Sequence, residues 1–384
     1  MKPSSNKRRV LLVGAGHANL EFIKSWRASD HELAEFTLIT PHTHAIYSGL
    51  LPAYLRGEVG LDEMQIDLPS LADRHGFRLH FGKMRSLSVE HRHIVLADGS
   101  CREFDDLFIN TGGQPPSAWQ STSTRCLHVR PLANFLELWE REGQEIQRIA
   151  VIGAGAAGIE IAASLVGSGD FAPTREVHLF ESRDDLGLQI SKHGRLRLRK
   201  GLQKIGVQLH FKAHFTGLPR LPELALGSSR LKFDLVLATT PTSPPVYNVD
   251  RREQTLSVDE QLRLQSTHAD RRSGSHVWVT GDAVAESPWP RSGVSAVRQG
   301  QALRQLWRAS VTSGAGGAIR KFPTQARPLK LQFRQLKLLR VGNQVFGLWG
   351  DRVLGFSMIL RWLKSWIDRR YMRSFSRCAE KTLR

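Results

Sequence analysis

Two stretches of this 384-residue chain repeat one pattern: a basic residue, a short apolar run, a glycine-rich turn, then small and apolar residues. Residues 8–22 read RRVLLVGAGHANLEF, and residues 148–161 read RIAVIGAGAAGIEI. An unbroken apolar run bounded by glycine predicts a strand buried on both faces, as in parallel sheets, and the residues after the turn predict a helix. Each pattern is followed by a second apolar run, FTLIT at 36–40 and VHLFE at 177–181. Strand, glycine turn, helix and strand open a dinucleotide-binding unit, so two copies predict two units. Further apolar runs predict strands at 107–110, 235–238 and 277–279. The proline-rich 241–245 predicts a crossing linker, and the small residues of 313–317 predict a loop.

The apolar stretch 149–167, broken only by Glu160 and Ser164, has the length of a membrane span. Its four glycines (Gly153, Gly155, Gly158, Gly167) and its central charge fit a glycine turn entering a helix better. The chain is 41% hydrophobic, enough for a sizeable core, which argues against disorder. The basic start leads into an apolar run, 10–13, that is too short for the core of a signal peptide. Three cysteines (Cys101, Cys126, Cys378), none in a CxxC spacing, argue against a disulfide framework, a zinc ribbon and a redox dithiol. The pairs His42/His44 and His91/His93 lack a third ligand at a recognisable spacing, so no metal is expected.

The glycine turns carry the candidate chemistry. The first glycine permits a tight turn, the second lets a pyrophosphate approach backbone N–H groups, and the third lets helix pack on strand. The second copy supplies all three, Gly153, Gly155 and Gly158, and its next strand ends at Glu181. A carboxylate there accepts the ribose hydroxyls of NAD and repels a 2′-phosphate, although nearby Arg183 softens that bias. The first copy has Gly14 and Gly16 but Asn19 in the third place, and its second strand ends at Thr40 and Pro41, whose hydroxyl and backbone remain available to a ribose. His17, inside this turn, either touches a pyrophosphate or packs. LFINTGG (107–113) ends a strand at Thr111-Gly112, and HVWVTGD (276–282) ends one at Gly281-Asp282. In two-dinucleotide flavoproteins an Asp so placed meets the flavin ribityl chain. Glu160, two residues after Gly158, either orients a nicotinamide or relays a proton; the plainer reading is a carboxylate complementing the helix dipole.

Taken in order, these elements resemble the pyridine nucleotide-disulfide oxidoreductase superfamily. The segments VGAGHAN (13–19), HAIYSGLLP (44–52), SGVSAVRQG (292–300) and WLKSWIDRRYM (362–372) are closest to its FAD-dependent, NADH-dehydrogenase-like branch linked to selenide, water dikinase, itself similar to type II NADH:quinone reductases. The resemblance implies an α/β fold of two nested Rossmann-like dinucleotide-binding domains plus a small C-terminal region. The FAD-binding domain is expected at 1–120 and 250–320, the NAD(P)H-binding domain at 130–245, and a basic C-terminal region with an amphipathic helix at 325–384. FAD is then expected near Gly14, Gly16, His17, Asn19, Thr40, Pro41, Ser48, Pro52, Thr111, Gly112, Gly281, Asp282 and Val294. NADH or NADPH is expected near Gly153, Gly155, Gly158 and Glu181, with Glu160 as the catalytic candidate. The implied activity passes a hydride from NAD(P)H to flavin and electrons onward, with a quinone as the favoured acceptor. The alternatives are a soluble selenium or sulfur species, or a nucleotide-bound redox sensor or scaffold. The chain departs from the quinone reductases at Ser164, where they typically carry a second acid.

Charge refines the picture. Lys and Arg number 54 against 36 Asp and Glu, a net +18. No helix-turn-helix, RNP-like or zinc pattern is present, so nucleic acid is not an expected partner. Residues 352–377 hold seven basic residues and one acid. At helical spacing Ile359, Trp362, Leu363, Trp366 and Ile367 share a face, opposite Arg361, Lys364 and Asp368. Such a face suits an anionic membrane surface, or else the protein core or the partner in a homodimer. The expected location is cytoplasmic, peripheral on the inner face of the membrane.

Overall fold

The computed structural model describes residues 7–120, 123–167, 175–265, 276–287, 289–312 and 334–376. Both glycine-turn strands sit at the centre of their own five-stranded parallel sheet, as their apolar runs require. In the first sheet the order is Val277–Val279, Asp106–Ile109, Arg8–Val13, Ala34–Thr40, Arg78–Phe81. Val13 lies opposite both Ile39 and Ile109, so three strand ends meet at one edge. Helices His17–Lys24 and Gly293–Thr312 pack against each other there, with Gly300 tight against the Ala18 carbonyl. Beneath them Phe22, Phe108, Trp278 and Trp307 are fully buried, with the Phe108 and Trp278 rings stacked 4.8 Å apart.

The second sheet runs Cys126–His128, Leu235–Ala238, Arg148–Ile152, Glu176–Phe180, Gln208–His210. The stretch 149–167 is thus a strand, a turn and the helix Ala156–Leu165, and no described helix is long and apolar enough to cross a membrane.

The two sheets are joined where the chain crosses twice. Gln114 and Ser243 exchange both backbone hydrogen bonds (2.9 and 2.8 Å), which places the linker expected at 241–245 beside the outgoing strand. By Tyr247 the chain is already back in a sheet with Met84–Ser88, three residues ahead of the boundary expected at 250. The loop expected at 313–317 lies outside the described residues.

The C-terminal region contains a three-stranded antiparallel sheet that the sequence pattern did not announce: Leu336–Val341, Gln344–Trp349 and Arg352–Ser357. The basic stretch from 352 therefore begins as a strand, and the amphipathic helix starts only at Met358, running to Ser376. Helix Lys192–Lys204 of the second unit packs on this sheet through Gly194 and Gly201, against Val353 and Phe356.

Candidate active site

Each glycine turn is closed by a polar residue from the neighbouring strand end. In the first turn Gly14 takes φ +88°, and a Cβ there would lie 2.5 Å from the Asn110 carbonyl. A Cβ on Gly16 would collide with Asn110 Oδ1. That oxygen accepts the Ala18 N–H (3.0 Å) and more weakly the Asn19 N–H (3.4 Å), capping the helix that the turn opens. The same amide donates to the Thr280 carbonyl (3.0 Å), and Gly281, with φ +64°, lies against it. Asn110 therefore ties the loop around Gly14 to the strand end at Gly281-Asp282. Asn19 is fully buried and donates to the Gly14 carbonyl (2.8 Å), bracing the turn where a third glycine is usual.

The other expected FAD neighbours differ in place and exposure: Thr40 ends a strand of the first sheet, whereas Pro52 lies in a helix that packs on Ala156–Leu165 of the second unit. Thr40 is buried and accepts the His42 N–H (3.4 Å), while Pro41 is exposed. Ser48 opens a 3-10 turn, and Pro52 is buried in the first turn of the helix Leu51–Leu55. The Thr111 hydroxyl pairs with that of Tyr247, and Gly112 (φ +77°) has open space around it. The Gly281 N–H donates to Gln299 (2.8 Å). Val294 is 41% exposed, and a Cβ on the neighbouring Gly293 would lie 3.8 Å from the His17 ring. Burial and the nearby Arg130 hold the His17 pKa down at about 4 despite Asp282, so the ring is neutral near pH 7. Tyr47 and Tyr371 stack 4.5 Å apart beside it.

The second turn is complete. Gly153 takes φ +105°, and a Cβ on Gly158 would collide with the Gly153 carbonyl. Thr239 donates to that carbonyl (2.9 Å) from the end of strand Leu235–Ala238, the place Asn110 holds in the first unit. Beside Gly155 lies open space, the room a pyrophosphate needs at a helix N-terminus. Glu181 folds back on the turn. Its carboxylate accepts the Ala154 N–H (3.0 Å), the Ser182 hydroxyl (3.1 Å) and the Arg183 N–H (3.2 Å). The Arg183 guanidinium stands 4.0 Å away and is largely exposed.

Glu160 faces away from its own turn, toward the C-terminal region. Its carboxylate accepts the Arg340 backbone N–H (2.9 Å) and lies 3.4 Å from Lys364 Nζ. Lys364 also lies 3.6 Å from Asp368, which accepts the Tyr47 hydroxyl at 2.9 Å. Burial works against the Lys364 charge, but Glu160 and Asp368 outweigh it and hold the ammonium above its ordinary pKa. Ser164 is buried and donates back to the Glu160 carbonyl (2.7 Å).

The C-terminal helix is thus turned with Lys364 and Asp368 inward. Asp368 is 5% exposed, whereas Ile359, Trp362 and Trp366 are 78%, 74% and 57% exposed. The expected division into two faces holds, and among the described residues the core does not cover Trp362 and Trp366. Among the described residues no cluster of three His, Cys, Asp or Glu could hold a metal.

Asn110, Thr239 and Gln299 were not singled out by sequence; Lys364 and Asp368 were placed only on the polar face of their helix, and Tyr47 only within the segment 44–52. For Asn110 and Thr239 a signal existed: each is the first polar residue after an apolar strand beside a glycine turn.

Comparison with known proteins fits this architecture. The chain is 25% identical over 166 residues to the assimilatory nitrate reductase electron transfer subunit of Bacillus subtilis, covering 41% of this chain and 21% of that protein. It is 26% identical over 168 residues to putidaredoxin reductase of Pseudomonas putida, covering 41% and 39%. These matches span less than half the length of either relative. The solved structure of Plasmodium falciparum NDH2 with NADH superposes with a TM-score of 0.74 at 12% identity, covering 96% of this chain and 98% of that one, which establishes the shared fold. A family description for pyridine nucleotide-disulphide oxidoreductases matches residues 8–300, both glycine turns included. It bears out the superfamily read from the sequence and, with it, FAD and NADH or NADPH as the class of cofactors. Both the arrangement of the two turns and the extent of this match lead to the same assignment: the chain belongs to the pyridine nucleotide-disulphide oxidoreductase family.

Proposed function

We propose that this protein is an FAD-dependent NAD(P)H dehydrogenase whose electron acceptor is a quinone met at a membrane surface. The observation that carries the reading is the pair of closed glycine turns, one on each parallel sheet, in a sequence with no CxxC or CxxxxC spacing to take electrons onward. The first unit holds FAD: Gly14 and Gly16 admit the pyrophosphate, Asp282 reaches the ribityl side, and the helix end at Gly293 favours negative charge on the ring system. The second unit holds the nicotinamide dinucleotide: Gly155 admits its pyrophosphate, and Glu181 receives the adenosine ribose and disfavours a 2′-phosphate. The flavin, when bound, supplies two-electron uptake and onward transfer.

The residues of the chain position the partners and move the proton. His17, neutral near pH 7, adds no positive charge to the first turn. Glu160 and Lys364 form a carboxylate–ammonium pair at the boundary of the second unit and the C-terminal region, able to exchange a proton with the reaction. The outward tryptophans of the helix Met358–Ser376, with Arg369 and Arg370 exposed beside them, suit the interface of an anionic bilayer, where quinones reside. That face supports a peripheral position on the inner face of a membrane.

Stopped-flow absorbance tests the reading. The purified yellow protein should bleach with NADH faster than with NADPH, then recolour within the mixing experiment on adding a short-chain quinone. A protein that cannot be loaded with FAD, or that bleaches and recolours only with slow aeration, contradicts it.

A further inference from the structure

One buried series of polar groups runs between the two units, and its far half belongs to neither glycine turn. It begins at Glu160, passes to Lys364 (3.4 Å) and Asp368 (3.6 Å), and ends at the Tyr47 hydroxyl, which donates to Asp368 at 2.9 Å. Lys364 and Asp368 are one helical turn apart on the inner face of the C-terminal helix, so one rigid element spaces them. Tyr47 is held by its stack on Tyr371 of the same helix and, from its own segment, by the approach of Gly49 to its ring.

A buried carboxylate is costly unless it is paired and hydrogen-bonded, so its retention needs a reason. Resting on the reading above, we propose that Asp368 is a positioning residue that joins Glu160 and Lys364 to Tyr47 in a single track for a proton, running from the helix of the second turn to the aromatic wall of the first. The proton balance is simple. Reducing a quinone with NADH takes up one proton from solvent, and along the track each group gives a proton on one side as it receives one on the other. Lys364 has three N–H donors on a flexible stem and sits slightly beyond bonding distance of Asp368, so a small swing connects either carboxylate. The charged and titratable groups facing Asp368 are Lys364 on its own helix, Tyr47 from the first unit and Glu160 from the second. Burial and Glu160 raise its pKa, against Lys364 and Tyr47. Burial and the Asp368 carboxylate in turn keep the Tyr47 phenol protonated well above the ordinary tyrosine range.

The test compares Asp368→Asn and Asp368→Glu with the wild-type holoprotein, using two acceptors. Ferricyanide takes electrons alone, whereas a short-chain quinone also needs protons. Asp368→Asn should lower the ratio of quinone to ferricyanide turnover about tenfold at pH 8, with a larger solvent isotope effect on the quinone step, and Asp368→Glu should restore most of it. Equal slowing of both acceptors, no slowing, or equal behaviour of the two variants would overturn the proposal. A second readout needs no turnover. In an absorbance titration near 295 nm, one phenol of Asp368→Asn should ionise at lower pH than in wild type, and an unmoved titration counts against the contact. If wild type itself fails to bleach with NADH, it is the functional reading that fails, and the phenol titration still decides whether Asp368 governs Tyr47.

Discussion

The carboxylate of Glu181 accepts the backbone N–H of Ala154 at 3.0 Å, so the residue that ends one strand is clamped onto the turn that follows another. Its position beside the turn is therefore fixed before any ligand arrives. Glu181→Ala should cost about tenfold in the preference for NADH over NADPH, read as the ratio of kcat/KM values. An unchanged ratio would remove Glu181 from the ribose site.

Asn110 serves three segments with one side chain, capping Ala18 and tethering Thr280. Asn110→Ala leaves a buried N–H and a buried carbonyl without partners, which should destabilise the protein by about 2 kcal/mol in denaturant unfolding. Flavin retention should weaken as well, because the Gly14 loop and Asp282 lose their common tie. A variant as stable as wild type would show that water replaces the amide.

Gly158→Ala places a methyl where the Gly153 carbonyl stands. Since the helix Ala156–Leu165 is packed on both sides, the clash has no cheap relief, and the loss should be about 3 kcal/mol or more. A small loss, measured by the same unfolding assay, would mean that the turn opens easily.

The pair Trp362→Ser and Trp366→Ser removes two exposed rings. Because more than half of each side chain is exposed, stability should fall by only ~1–2 kcal/mol, while partition onto anionic vesicles should fall at least about tenfold. Vesicle binding that survives the double change would assign the face to another partner, such as a second copy of the chain.

His17 is held neutral with a pKa of about 4, against 6.5 when unfolded. In that window the unfolded chain binds the extra proton, so the contribution of His17 to stability is complete above pH 6.5 and declines as pH falls toward 4. The loss can reach ~3 kcal/mol. His17→Gln should flatten this acid limb in melting curves of the flavin-free protein, and an unaltered limb would locate the acid sensitivity elsewhere.

What the sequence made legible is what short segments decide by themselves. The two glycine turns, their flanking strands and the crossing linker follow from apolar runs cut by glycine and proline, and all appear where the pattern put them. The partners of those turns do not follow, because they come from far along the chain: Asn110 reaches Ala18 across 92 positions, and Asp368 reaches Tyr47 across 321. The sheet 336–357 stayed hidden for another reason. Its outer strands are partly exposed, and their neighbours, such as Gly194 and Gly201, are supplied by the tertiary packing of another unit. On the C-terminal helix the two faces could be drawn, but which of them faces inward could not. Helical spacing alone favours an apolar interior, and only the positions of Glu160 and Tyr47 reverse that choice.

The paired backbones of Gln114 and Ser243 give the inserted unit a single doorway, since its incoming and outgoing chains pass side by side. A cassette attached in this way can be exchanged for another of the same architecture with only two neighbouring joints to match. Substrate choice on the nucleotide side is then free to diverge while the flavin-side scaffold stays as it is.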